Sequence, residues 1–267
     1  MTTRNAQLAG IATVLALTVT GCGAVRGDGA VADPAAGPSS AAADPRQALL
    51  DSVPDETVGA YAFDVRGGDS PFSGVLDAPK KAIELRLTES GEPNITLTMD
   101  IRAIGGKSWI KLAVKPAGTP GLPKIPKKWL LVDKAKMSGD GKDIVGYDGS
   151  TDPGYAADVI ENGTGIRPTG AGHFAGTTDL TRSTQAEILD GKALEALGDK
   201  ARKVPFEAVV GGDGHLSTLT VKIPAAGRTK ARTYAVRYSG YGRTPTPTVP
   251  AAGEQQKATP IVYQLLG

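Results

Sequence analysis

The chain has little of what catalysis and metal chemistry need. Its 267 residues include one cysteine and two histidines, so no internal disulfide can form and a zinc-type cluster lacks ligands. Aromatic residues are few, two Trp, seven Tyr and four Phe. Only Trp109 and Trp129 stand among the lysines, too few to stack the bases of a nucleic acid, which is not expected as a partner. The net charge is only +2 beside 40% apolar content, which argues against a disordered chain. No apolar run reaches the roughly 20 residues that cross a bilayer. Gly (35) and Pro (19) are plentiful instead, which excludes a coiled coil or helical bundle and predicts a turn-rich globular domain.

Residues 1–21 read as an export signal. Arg4 stands in a stretch without acids, residues 8–19 carry no charge, and Thr20-Gly21-Cys22 follows. The apolar run is too short for a permanent span. The small pair before Cys22 resembles a lipobox, the motif at which bacterial lipoproteins are cut after a lipid is joined to the thiol. The alternative is a plain secretory signal with a chance cysteine. The single cysteine of the chain stands where the motif needs it, so Cys22 is the expected lipid-attachment site. Two acyl chains there, at about 0.8 kcal/mol per buried CH₂, would anchor the protein on the outer face of the cytoplasmic membrane.

Residues 22–44 are almost entirely Ala, Gly, Pro, Ser and Asp. They read as the lipidated Cys22 and a flexible tether, in a composition that fits a GC-rich, actinobacterial source. The folded domain is expected over 45–243, with a C-terminal extension over 244–267.

Period-two alternation supplies the architecture. Ile83, Leu85 and Leu87 alternate with polar neighbours, as do Ile95, Leu97, Met99 and Ile101. Ile110, Leu112 and Val114 follow the Gly105-Gly106 turn. One face of each strand is apolar and the other wetter, the pattern of an antiparallel sheet covered on one side. Further strands are expected over 61–66, 72–77, 128–133, 173–181, 204–210, 216–223 and 233–238, about ten in all. Asp44-Pro45 predicts a short helix to Val53, and Asp152-Pro153 another to Asn162. Thr184-Gln185-Ala186-Glu187 has the form of a capping box opening a third helix that Gly198 ends. The expected class is α+β: a strongly curved antiparallel sheet, a half-barrel, with helices packed on the concave face.

The lipobox, the tether, the leading helix and the one-sided sheet resemble the mycobacterial LppX/LprG group of envelope lipoproteins, and more distantly the LolA/LolB lipoprotein carriers. The matching pieces over 45–242 are Phe72-Ser73-Gly74, Lys127-Lys128-Trp129-Leu130-Leu131-Val132, Val204-Pro205-Phe206, and Gly211-Gly212-Asp213-Gly214-His215-Leu216. The loop over 115–127 and the stretch after Thr244 depart from the group. The resemblance implies an apolar cavity that takes the acyl chains of a lipid, glycolipid or lipoprotein and carries or presents them. Its expected lining is Leu85, Leu87, Leu97, Met99, Ile110 and Leu112 from the sheet, with Val159, Ile160, Leu189 and Leu197 from the helices. Each of these would equally serve as an ordinary core residue.

Catalytic readings are weaker. His173 and His215 each follow a Gly-rich turn and are expected at strand starts, His215 exposed. No Gly-x-Ser-x-Gly elbow accompanies them, so no catalytic residue is assigned and an enzyme is not expected. Asp140, Asp143 and Asp148 lack the spacing and closing Glu of a calcium loop, so no metal and no cofactor is expected. The segment opening on Lys107 and closing on Lys142 holds nine lysines against Asp133 and Asp140. That excess could meet anionic headgroups, or simply blunt an exposed sheet edge. Two functions stay open: a lipid-binding carrier, and a lipoprotein that binds a protein partner at the envelope as a sensor or assembly factor.

Overall fold

In the computed structural model the described residues are 44–68, 70–91, 94–117, 125–137, 145–183, 188–227 and 230–266. The export signal, Cys22 and the tether up to residue 43 lie outside them, as do Lys124, Asp140, Lys142, Asp143 and the Thr184–Glu187 box.

Twelve strands form one open, curved sheet. They are β1 (Tyr61–Arg66), β2 (Phe72–Asp77), β3 (Ala82–Gly91), β4 (Ile95–Ile104), β5 (Lys107–Lys115), β6 (Trp129–Val132), β7 (Gly163–Gly170), β8 (His173–Thr178), β9 (Val204–Val210), β10 (Leu216–Ile223), β11 (Arg232–Ser239) and β12 (Gln255–Lys257). The described helices are α1 (Pro45–Leu50), α2 (Ala156–Glu161), α3 (Gly191–Leu197) and α4 (Pro260–Leu266). The class is α+β, as the lack of a β-α-β rhythm predicts.

The strand order β12-β6-β5-β4-β3-β2-β1-β11-β10-β9-β8-β7 is two meanders side by side. β1–β6 step outward in one direction. β7–β11 step back from the opposite edge until β11 meets β1, with Ala62 opposite Ser239 and Val65 opposite Val236. Every pairing is antiparallel except that of β12 with β6.

The register carries one apolar face across the first meander. Phe63 stands opposite Gly74, Gly74 opposite Leu85, Leu85 opposite Ile101, Ile101 opposite Ile110, and Ile110 opposite Leu130. Because side chains alternate with period two, Ile83, Leu87, Ile95, Leu97, Met99 and Leu112 share this inner face. Across the seam it continues through Val236, Leu219 and Ala208. The opposite face carries cross-strand ion pairs, Arg102 to Glu84 at 2.7 Å and Arg86 to Asp100 at 2.6 Å.

The two strands beyond the expected ten are both edges. β7 has three glycines besides Pro168, and Ile166 is its only sizeable apolar side chain; β12 is Gln-Gln-Lys. An edge strand buries neither face fully and needs no alternation, so the apolar period that marks the others is missing.

Two helix starts also differ from expectation. Asp152 does not open α2: Tyr155, at φ +50°, interrupts the backbone, and the helix begins at Ala156. Asp190, not the Thr184 box, caps α3, accepting from the Ala193 amide at 2.7 Å after a non-helical stretch over 188–190. Gly198 ends α3, as expected, at φ +54°. Asp44 caps α1 by accepting from the Arg46 amide.

The residues after β11 wrap the sheet edge. On the outer face Lys80 donates to Thr246 (2.7 Å), Thr246 donates to Asp77 (2.5 Å), and Arg102 donates to the Thr248 carbonyl (3.1 Å). Trp109 donates to Gln255 at 2.7 Å, and the Arg102 guanidinium lies 4.5 Å from the Trp129 ring centre. Both tryptophans are buried there. The chain pairs with β6 as β12 and anchors the Ala258 amide on the Leu131 carbonyl. It then delivers α4 to the inner face, where Val262 is buried. Residues 42–267 thus make one unit.

Candidate functional site

The inner face carries two buried apolar clusters of different character. The larger joins β1, β2 and β8–β11 to α1, α2 and α3. Three tyrosines of the sheet clasp the segment leading into α2. Tyr61 donates to the Thr151 carbonyl, Tyr234 to the Gly154 carbonyl at 2.9 Å, and Tyr238 to the Asp152 carboxylate. The other Asp152 oxygen accepts from the Ala157 amide at 2.8 Å. This pairing is why Asp152 supports α2 from below instead of preceding it directly. Gly154 is required for the approach, since a Cβ would come within 2.3 Å of Val236.

Burial pushes the Asp152 carboxyl above its ordinary range, against the Tyr238 hydroxyl and backbone amides that favour the charged form. Burial likewise pushes the Tyr61, Tyr234 and Tyr238 phenols up. These groups are spent on holding the fold.

The smaller cluster sits on β4, β5 and β6. Ile101, Ile110, Leu112, Leu130 and Val132 form its floor, and Met137, Val145 and Val262 complete it. Beside it Leu85, Leu87, Leu97 and Met99 remain half-buried. The result is an apolar trough whose floor is sealed and whose flank along β3 and β4 is not.

The expected lining therefore divides. Leu85, Leu87, Leu97, Met99, Ile110 and Leu112 come together in the trough. Val159, Ile160, Leu189 and Leu197 are buried in the larger cluster, with Leu85 alone touching both. Sequence reasoning missed Val262 and Ser108. Ser108 falls in phase with Ile110 and Leu112 and lies on the inner face opposite Ala103 and Val132. That phase was the available signal.

Clefts of mixed polar and apolar lining lie at the rims. One of ≈ 710 Å³ opens among the β2–β3 and β4–β5 turns and is lined by Ala103, Gly105, Gly106, Lys81, Lys134 and Tyr147, with Glu56 and Asp148 also present. A smaller one of ≈ 340 Å³ involves Asp213, His215 and Tyr241. His215 is half-buried rather than exposed, because its ring stacks on Tyr241 with centroids 4.5 Å apart; His173 is exposed. Asp148 accepts from the Ser150 amide in a local turn. Among the described residues no group of His, Cys, Asp or Glu could hold a metal, and no helix is long and apolar enough to cross a membrane.

Of the described lysines in the basic segment, Lys107, Lys115, Lys127, Lys128 and Lys136 are exposed. Lys136 approaches Asp133 at 3.9 Å.

Among the described residues the face of the trough is apolar apart from Ser108, a surface chemistry that suits an alkyl chain. Each methylene moved from water into it gains about 0.8 kcal/mol, with no directional partner required. No protein-family model, no curated protein and no solved structure matches this chain.

Proposed function

We propose that this protein is an exported lipoprotein, anchored through lipidated Cys22, whose domain binds the acyl chains of a lipid, glycolipid or lipoprotein and carries or presents them. The half-buried Leu85, Leu87, Leu97 and Met99 beside a sealed apolar floor carry this reading. Evolving such a flank costs stability that a solid core would keep, and a chain laid along it would restore the lost contacts. In this reading the sheet is a half-barrel with its helices in the hollow, and the exposed lysines of β5 and the β5–β6 connection face anionic headgroups. The protein acts by binding, not by bond chemistry.

The sealed floor, with Ile110 and Leu130 fully buried, favours a second reading in which the domain is packed solid and meets a protein partner at the envelope. Native mass spectrometry of the mature domain purified from its own host separates the two. The carrier gives added masses of acyl lipid that organic extraction removes; a domain free of lipid from every preparation favours the partner reading. The anchor has its own check. Cys22→Ser should abolish labelling by a fatty-acid analogue and release the protein from membranes or leave it unprocessed, and persistent labelling would refute attachment at Cys22.

A further inference from the structure

Two observations on the trough floor point beyond a generic apolar surface. The first is α4. Its Val262 is 1% exposed within the smaller cluster, while its neighbour Ile261 is 36% exposed. Among the described residues the helix is held by a three-residue strand pairing, the Ala258 amide on Leu131, the Tyr263 hydroxyl accepting from the Asp133 amide at 3.0 Å, and the packing of Ala258, Val262 and Tyr263 against the cluster. A helix of seven residues joined to the sheet through a three-residue edge strand is the kind of element that can open locally while the sheet stays folded.

The second is Ser108. Its side chain is 1% exposed, and its Oγ finds no hydrogen-bond partner among the described residues. A buried hydroxyl left unpaired costs free energy that a ligand oxygen would recover. Ser108 lies on the inner face beside Ile110 and opposite Ala103, and Ala103 lines the ≈ 710 Å³ cleft. Apolar floor, lone hydroxyl and a cleft of mixed lining that bears Lys81, Lys134 and Asp148 therefore follow one another along the face, the order of alkyl tail, carbonyl and headgroup in an acyl lipid.

We propose that the floor under Val262 is the acyl-chain subsite, that α4 plugs it until a chain takes its place, and that Ser108 Oγ donates to the acyl carbonyl or carboxylate oxygen. The cleft, with Lys81 and Lys134 on its wall, then receives whatever the carbonyl is joined to. This proposal rests on the acyl-binding reading above, and it assigns where the chain lies and what it displaces.

The test uses the mature full chain, a fluorescent long-chain fatty acid, and a hydrocarbon probe of equal length with no oxygen. Ending the chain after Thr259 removes the competitor and should tighten binding of both probes by about tenfold. Val262→Ser, which keeps the segment but weakens its hold, should shift both the same way by less. Ser108→Ala should weaken the fatty acid by about fivefold and leave the hydrocarbon probe unchanged. In the full chain, hydrogen exchange across α4 should quicken when either probe is bound.

Truncated and Val262→Ser chains that stay folded with unaltered or lost affinity overturn the plug. Equal weakening of both probes by Ser108→Ala overturns the carbonyl contact. If the wild-type chain and every folded variant bind neither probe, the acyl-binding reading itself falls and takes this one with it.

Discussion

The two meanders present the same inner face to different cover. In β9–β11 the inward Phe206, Ala208, Leu219, Val221 and Val236 are all sealed, because α1, α2 and α3 are gathered on that half. In β3 and β4 the inward Leu85, Leu87, Leu97 and Met99 stay half-buried, and of the described helices the neighbouring floor receives α4, through Val262 and Tyr263. Strand chemistry does not cause the difference, since both halves alternate cleanly. Among the described residues the cover differs instead, so that one half is sealed core and the other keeps apolar side chains half-buried.

The largest expected effect is the contrast in truncation. Phe206→Ala should cost about 3–5 kcal/mol of unfolding free energy in urea, whereas Leu97→Ala, only half-buried, should cost about 1–2 kcal/mol. Equal losses would break the comparison.

Enlargement should reverse the roles. Leu219→Trp overpacks a closed core and should cost about 1–3 kcal/mol, while Leu97→Trp should cost less than that and abolish uptake of a fluorescent fatty acid. A Leu97→Trp chain that binds normally would mean that the open flank takes no ligand.

The clasp on the closed half should show in the pH dependence. With the folded pKa of Asp152 raised by burial, the folded state holds that proton more tightly than the unfolded one. This part of the stability is therefore present below about pH 4 and is lost as pH rises through the folded value. Asp152→Asn, which can still bond Tyr238, should remove that decline in the urea midpoint, and a parallel decline in the variant would assign it to other groups.

The smallest effect is expected on the outer face. Arg86→Gln in the open half and Lys222→Gln in the closed half each break an exposed cross-strand pair, and each should cost about 0–1 kcal/mol. Similar small values would locate the asymmetry on the inner face alone.

Most strands were legible because one-sided burial writes a period of two into the sequence, as in Ile95-Leu97-Met99-Ile101. β7 and β12 were not, since an edge strand can be Gly-Thr-Gly or Gln-Gln-Lys and still pair. The start of α2 depended on Tyr238, far along the chain, claiming the Asp152 carboxylate. The sheet part of the trough could be read from alternation. Its helical part could not, because the stripe of Val159 and Ile160 does not say which half of the sheet it will cover. Val262 escaped notice for a similar reason: nothing in Pro260-Ile261-Val262 announces that the chain has rounded an edge.

The seam between β1 and β11 also governs how the molecule is made. Ala62 must find Ser239, so the middle of the sheet is closed by nearly the longest-range contact the domain contains, and such contacts form late. Until β11 has been made and has found β1, the two strands that will meet at the seam offer a bare edge to any other extended segment. A chain made from its N-terminus therefore passes through a period in which its future centre is its most adhesive border.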